Sequence, residues 1–475
     1  MTAREAPDEA SLTPLGPLHR VALVCDFFYP STGGVESHIL ALAQCLLRQG
    51  HKAIVVTHQY GSRVGVRWLA GGLKVYYLPF ASVYDRCIMP TGVMLLPLLR
   101  DILVRERISV VHTHAVCTMA FEAVKLAALM GYRVVHTEHS NFGFASPVDI
   151  HLNKLEQFVL CSADNVITVS HTSKENVCLR CCLDPSGVFV IPNAVDTSQF
   201  KPDPDNVRPI GGVNVVVMTR LVWRKGMHLL VKLVPEVCRR FPYVHFIIGG
   251  DGPKRAALEE MRDRHHLQDR VELLGAVQHS DVPRVLTRGH IFLNTSLTEA
   301  FCIAILEAVS CGLTVVSTRV GGVPEILPRH MIHLTEPEPA ALLEALSQVI
   351  PFARKRAATD FHHDVTRMYS WHGVARRTTK VYDALVPRPR PTLHERFQKL
   401  ATLGPVAGPV AIVLVAWQYL LLCLLRLWRP AHLIEVCPDF PRSATRQKYE
   451  ALPVSADWLA QLRGRASTPS SSGPL

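Results

Sequence analysis

Residues 290–312 read HIFLNTSLTEAFCIAILEAVSCG. The stretch opens as a strand-length apolar run and continues at helix length to a glycine. Two carboxylates, Glu299 and Glu307, interrupt it eight residues apart. Inside a fold an unpaired carboxylate is costly, so each needs a reason to be there. Ser296 and Glu299 form the S-x-x-E pattern of a helix-capping box, a structural account worth ~1 kcal/mol. Glu307, between Leu306 and Ala308, has no such account. If one helix carries both, they stand ~12 Å apart along it and ~80° around it. Paired glycosidase carboxylates need roughly 5–9.5 Å. The spacing therefore assigns the two to different parts of one long ligand, or to different ligands.

The strand-then-helix pattern repeats on both sides. Upstream, RVALVCDFFY, KAIVVTHQY, LKVYYLPF, SVVHTHA, RVVHTEHS and NVITVS alternate with helical stretches such as VESHILALAQCLLRQG. Around the opening stretch, NVVVMTR, VHFIIGG, RVELLGAV, HIFLNTS and TVVSTRV alternate in the same way. Continuous apolar strands joined by helices predict parallel sheets covered on both faces, hence two doubly wound α/β domains. The expected boundaries are an N-terminal disordered segment 1–19, a first domain 20–200, a linker 201–212 (KPDPDNVRPIGG) and a second domain 213–370. A helix over 371–386 follows, then a linker 387–403 containing PRPRP, an apolar segment 404–425 and a tail 426–475. Two such domains facing a cleft place their motifs just after strands, where open α/β sheets bind ligands.

Hydrophobic residues make up 48% of the chain and the mean hydropathy is +0.17, which points to a membrane segment. GPVAGPVAIVLVAWQYLLLCLL (404–425) is long enough to cross a bilayer, with Trp428, Arg426 and Arg429 at one end. A buried core helix is the alternative. Arg388, Arg390, Arg396 and Lys399 flank one side, and Arg426, Arg429 and Arg442 the other, so charge does not orient the segment. The net charge of +11 suits an anionic membrane surface or a phosphorylated substrate. No aromatic-basic platform accompanies it, so nucleic acid is not an expected partner. The 13 cysteines follow no disulfide pattern. Cys178, Cys181 and Cys182 lack a second Cys/His pair at zinc-site spacing and read as structural thiols. The start of the chain carries no signal-peptide pattern.

Several motifs follow strands. Gly33 and Gly34 stand where the first strand turns into a helix, suiting either an anion at the helix N-terminus or an ordinary tight turn. Arg220 and Lys225, in TRLVWRKG, suit phosphate, or a solvated basic loop. GGDGP (249–253), with Gly250, allows close backbone approach, or is a plain turn. His112, His114, His136 and His139 lie at strand ends. Metal ligation by them is conceivable, but the spacings do not fall on one helix face.

Together GGVE, the R-x4-K of RLVWRKG, GGDGP, IPNAVD, the E-x7-E of TEAFCIAILEA and VGGVPEIL resemble the retaining glycosyltransferase family 4, over about residues 20–386. The resemblance implies a GT-B fold, with WHGVARRTTKVYDAL as the final helix crossing back to the first domain. Arg220 and Lys225 would hold the donor diphosphate, approached by the Gly33-Gly34 turn and by the turn at Gly250. Glu299 would bind hydroxyls of the donor sugar and Glu307 the uridine ribose. Backbone amides of Phe301, Cys302 and Ile303 would cap the phosphates, and His139 would lie near the reaction centre. The family commonly has Gly where this chain has Ala194 and Cys302. It typically works without a metal, so no cofactor is expected.

DFFYPSTGGVESHI, HIFLNTSLTEAFCIAILEA and the membrane segment resemble more closely the members that glycosylate phosphatidylinositol. That likeness implies transfer of N-acetylglucosamine from UDP-N-acetylglucosamine to phosphatidylinositol with retention, the first step of glycosylphosphatidylinositol anchor synthesis. It also implies other membrane subunits and a single-pass placement in the endoplasmic reticulum membrane, catalytic domains cytoplasmic and tail lumenal. The alternatives are another donor sugar or lipid acceptor, or a non-catalytic subunit. An inactive homologue would be expected to lack Arg220, Lys225 or Glu307, and all three are present.

Overall fold

A computed structural model describes residues 16–439, except 85, 144–146, 204–211 and 354–360. Most of the expected linker 201–212, of the segment 1–19 and of the tail 426–475 lies outside the described residues. The chain forms two compact units. One holds the residues up to Asn193 and from Trp371 onward, the other Ala194–Ser370.

In the first unit the strands begin with β1 (Arg20–Val24), β2 (Lys52–His58), β3 (Gly65–Leu69) and β4 (Leu73–Leu78). A separate hairpin of β5 (Ser82–Tyr84) and β6 (Cys87–Ile88) follows. The rest are β7 (Val110–His114), β8 (Arg133–Glu138), β9 (Asn165–Thr168) and β10 (Val188–Val190). The sheet order is β10-β9-β8-β7-β1-β2-β4-β3. Every pairing is parallel except β3 with β4. The sequence pattern misses β3 because four of its five residues are exposed at the sheet edge, leaving no apolar run. Inside the sheet the runs are fully buried, as with Val21 to Val24 on β1. Each such side chain contributes about 1.5–3 kcal/mol.

Helices α1 (Gly34–Arg48), α2 (Leu95–Arg105), α3 (Thr118–Met130), α4 (Pro147–Leu160) and α5 (His171–Cys181) belong to this unit. Helix α2 buries Leu95, Leu96, Leu99, Ile102 and Leu103, as expected of a helix packed on a sheet.

The second unit holds β11 (Val213–Met218), β12 (Val244–Gly249), β13 (Val271–Gly275), β14 (Ile291–Asn294), β15 (Thr314–Thr318) and β16 (Ile332–Thr335). Their order is β13-β12-β11-β14-β15-β16, all parallel. Its helices are α6 (Met227–Arg240), α7 (Arg255–Arg264), α8 (Val282–Leu286), α9 (Ile303–Ser310), α10 (Pro339–Val349) and α11 (His362–Met368). Helix α6 shows why they form: Leu229, Leu230, Leu233, Val234 and Val237 make a buried stripe, while Lys232, Arg239 and Arg240 are exposed.

The chain then rejoins the first unit through α12 (Trp371–Asp383), α13 (Leu393–Ala401) and α14 (Ala407–Trp428). Tyr382 Oη lies 2.7 Å from His112 Nδ1, and Asp383 pairs with His19 at 2.7 Å. Helix α14 starts three residues later than the apolar run, because Gly404 has φ 115° and Pro405 follows it. It runs on through Arg426 to Trp428. Only 17% of its apolar window is buried, so it is no core helix.

Both sheets reverse direction of growth once: the loops after β1 and β7 diverge in the first, those after β11 and β14 in the second. Ligands of doubly wound sheets bind at such switch points.

A buried ion network stabilises the end of β8. Glu138, Glu156 and Arg180 are almost inaccessible, and the Arg180 guanidinium pairs with Glu156. Burial pushes the Glu138 carboxyl up and that of Glu156 to about 8. Removing the cation strands two buried carboxylates. Arg180→Ala is expected to cost ~3–5 kcal/mol, read by urea or thermal unfolding of the detergent-solubilised chain.

Candidate active site

In the second unit the site begins at the β11/β14 switch point. The loop after β11 contains Arg220, which is exposed, and a single 3-10 turn over Trp223–Lys225. Gly226 ends that turn at φ 71°, and a Cβ there would sit 1.8 Å from the Thr295 carbonyl oxygen. Only glycine allows this approach. The contact is locked by Thr295 Oγ1 donating to the Lys225 carbonyl at 2.9 Å and by the Leu297 amide donating to the Arg224 carbonyl at 2.8 Å. Gly250, after β12, has φ 133°, and a Cβ would lie 1.8 Å from the Thr219 carbonyl oxygen. The Gly250 and Gly226 turns are thus structural necessities that also bring three loops together.

That lacing joins the two strongest candidates. Lys225 Nζ forms an ion pair with Glu299 Oε1. Ser296 Oγ donates to the same oxygen at 2.7 Å. The expected capping box is not formed. Helix α9 starts at Ile303 with Cys302 as its N-cap, so Glu299 lies in the loop before it. The Gly322 amide ties that loop down by donating to the Glu299 carbonyl at 2.9 Å. Helical spacing between Glu299 and Glu307 therefore does not apply, although the two still sit in separate elements. Phe301, Cys302 and Ile303 do lie at the helix N-terminus. Phe301 is buried, edge-on to Tyr369 at 6.1 Å. Burial pushes the Cys302 thiol up to about 12, so it is no nucleophile at neutral pH. Glu307 is half-buried on α9, and burial raises its carboxyl to about 7. Its carboxylate has no hydrogen-bonding or ionic partner among the described residues.

In the first unit Gly33 is the extended N-cap of α1 and Gly34 its first residue, directly beyond β1. Asp26, fully buried, accepts from the amides of Ile88 at 3.1 Å and Met119 at 2.8 Å, pinning β6 and the start of α3 to the end of β1. His139 is the first residue after β8. Its Nε2 lies 3.3 Å from His114 Nδ1, and its ring meets His38 edge-on at 4.7 Å. His38 is oriented by Asn193 Oδ1, 2.8 Å from its Nδ1, and by Trp371. Burial lowers His38 to about 4 and holds His114 and His139 far below the usual imidazole range. All three are neutral at pH 7. Donor atoms of His38, His114 and His139 lie within 4.8 Å of one another, a set chemically able to hold a transition metal.

His112 and His136 are structural. His112 is fixed between Tyr382 and Thr137, and His136 Nδ1 lies 2.8 Å from Thr113 Oγ1. The sequence reading missed His38, whose only signal is a histidine near the start of a largely apolar helix. Asn193, in IPNAVD, was visible as a motif but not as its partner.

Two doubly wound units, each with its polar residues gathered at a switch point, and a lysine–glutamate pair beside a helix N-terminus define a glycosyltransferase of the GT-B class. Residues 212–351 match the family model of glycosyl transferases group 1, and residues 58–146 that of PIGA (GPI anchor biosynthesis). The chain is 52% identical over 425 residues to the A subunit of phosphatidylinositol N-acetylglucosaminyltransferase from Arabidopsis thaliana, covering 89% of this chain and 95% of that one. It is 49% identical over 439 residues to the corresponding Homo sapiens protein, covering 91% and 90%. The fold resembles sucrose-phosphate synthase from Thermosynechococcus elongatus (TM-score 0.65, 18% identity, 77% of this chain and 99% of that one). The chain belongs to the family of phosphatidylinositol N-acetylglucosaminyltransferase A subunits.

Glu307 gives a pH test independent of activity. Its carboxyl is raised to about 7 in the fold against 4.5 ordinarily, so ionising it destabilises the native state progressively as pH rises from about 4.5 through 7. Without donor, Glu307→Gln is expected to melt higher than wild type at pH 8, with the gain shrinking at pH 5.5. Thermal melts at the two pH values check this.

Proposed function

We propose that this protein transfers N-acetylglucosamine from UDP-N-acetylglucosamine to phosphatidylinositol with retention of configuration. This is the first step in building glycosylphosphatidylinositol anchors. The reaction belongs to the cytoplasmic face of the endoplasmic reticulum membrane, and the chain works there with other membrane subunits. The observation that carries the reading is the Lys225–Glu299 pair at the β11/β14 switch point, just ahead of the α9 N-terminus.

The chemistry follows from those groups. Leaving UDP develops negative charge on its diphosphate. Arg220 and Lys225 meet it with full charges, and the amides of Phe301 to Ile303 with the positive end of the helix dipole. Glu299 keeps Lys225 in place and offers its carboxylate to sugar hydroxyls. The Gly250 turn lets backbone come close to the same diphosphate. Glu307 accepts from the ribose hydroxyls, which supply the partners its carboxylate lacks. His139, neutral at pH 7, makes the first unit's contribution an uncharged hydrogen-bonding group. With two cations and a helix terminus on the diphosphate, the proposed reaction needs no metal.

The acceptor is an anionic lipid, which suits a chain of net charge +11 with a long, exposed apolar helix.

The test is an assay of membranes from cells lacking the endogenous activity, with labelled UDP-N-acetylglucosamine. Wild type is expected to yield a phospholipase-sensitive inositol lipid whose sugar is released by an α- but not a β-hexosaminidase. Lys225→Ala is expected to lower turnover ~10²–10³-fold at equal expression. Glu307→Ala is expected mainly to raise the KM for the donor. EDTA is expected to leave the rate unchanged. Full activity in Lys225→Ala would sink the site assignment, and absence of product from the complete wild-type complex would sink the substrate.

A further inference from the structure

Three histidines of the first unit come from three neighbouring elements. The sheet order places β8, β7 and β1 side by side. His114 ends β7, His139 directly follows β8, and His38 lies near the start of α1, the helix beyond β1. Parallel strands end on one edge of the sheet, so the three side chains gather there although none is close to another in sequence.

Their spacing suits a metal ion. One ring nitrogen from each lies within 4.8 Å of the other two. His114 Nδ1 and His139 Nε2 are 3.3 Å apart. Two nitrogens bound at ~2.05 Å to one tetrahedral ion stand ~3.3 Å apart, so this pair already spans one edge of such a site. The third nitrogen needs an inward shift of at most ~1.5 Å, which a change in the side-chain torsions of His38 supplies.

The protonation pattern suits one as well. His38 Nδ1 faces Asn193 Oδ1 at 2.8 Å, and an amide oxygen only accepts, so Nδ1 carries the proton. Nε2 therefore keeps its lone pair. A metal-bound histidine ordinarily has its other nitrogen held by just such an acceptor. His139 alone of the three keeps some exposure, which gives an ion a way in and lets its ring proton exchange from Nε2 to Nδ1.

The neighbouring histidines fail the same test. His112 stacks beside His114, with ring centroids 4.2 Å apart, but both its nitrogens are engaged, by Tyr382 Oη and Thr137 Oγ1 at 2.7 Å. His136 turns its Nδ1 to Thr113 Oγ1 at 2.8 Å and stands outside the cluster. Three ligands leave the fourth tetrahedral position to water. The donors are all imidazoles, with no carboxylate among them. Mg2+ and Ca2+ require oxygen ligands, whereas three histidines with one open position suit Zn2+.

We propose that His38, His114 and His139 form a binding site for one Zn2+, and that its occupation stops sugar transfer. The block rests on the reading of His139 given above: the ion takes the lone pair of the ring that is the first unit's hydrogen-bonding group. The binding itself needs no such reading. The metal-free cluster is the active form, so a chelator leaves the rate unchanged and only added zinc lowers it.

The test uses the purified complex with the full chain, carrying no histidine tag, stripped with EDTA and then dialysed free of chelator. The probe is ZnCl2. Equilibrium dialysis with elemental analysis is expected to find one more Zn2+ per chain in wild type than in His38→Ala or His114→Ala. Asn193→Ala, which removes only the acceptor behind His38, is expected to bind zinc about tenfold more weakly or worse. Zinc X-ray absorption of the wild type at one equivalent needs no variant. It is expected to show a shell of imidazole nitrogens at ~2.0–2.1 Å and no sulfur at ~2.3 Å. A sulfur shell, or equal zinc in wild type and both histidine variants, would overturn the site.

A second arm reads the block. Transfer by wild type is expected to be lost as the site fills, with its half-point at the free zinc that half-fills the site, and to be untouched by MgCl2. Zinc held by the three histidines with an undiminished rate would overturn the block. Metal-free wild type that makes no product would sink the transfer reading and the block with it, while the zinc count still decides the site.

Discussion

The candidate site of the second unit depends on one backbone contact. The turn at Gly226 lies so close to the Thr295 carbonyl oxygen that no side chain could stand there. That approach fastens the loop after β11 to the loop after β14, and Lys225 reaches Glu299 because of it. The same two strands are neighbours in the sheet though far apart in sequence. Sheet topology and one glycine thus set the distance between a lysine and a glutamate more than seventy residues apart. The Gly250 turn against Thr219 ties the next loop to the same place. A site that must stabilise charge as it develops gains from loops that cannot relax away from it.

The first unit solves a different problem. It must keep His38, His114 and His139 buried and uncharged beside one another. Burial lowers the basicity of all three, and for His114 and His139 the neighbouring histidines lower it further, since a second proton in the cluster would repel the first. Arg180 pairs with the buried Glu156, and the buried Glu138 ends β8 directly before His139.

Much of this was legible in the sequence, for identifiable reasons. Parallel sheets buried on both faces require continuous apolar runs, so the interior strands declared themselves, while the exposed edge strand β3 left no such trace. Arg220, Lys225, Glu299 and Glu307 stood out because charge beside apolar runs needs an explanation. The sequence could not say that Glu299 lies outside the helix, because S-x-x-E fits a capping box whether or not the helix begins there. The Gly322 amide from the neighbouring loop binds the Glu299 carbonyl, and the helix begins only after Cys302. Nor could it find His38 with His139, about a hundred residues away. The length and hydropathy of α14 are properties of the segment alone and were fixed by composition. Which histidines meet depends on long-range contacts such as His38 with Asn193 and His114 with His139, which exist only once the tertiary structure has formed.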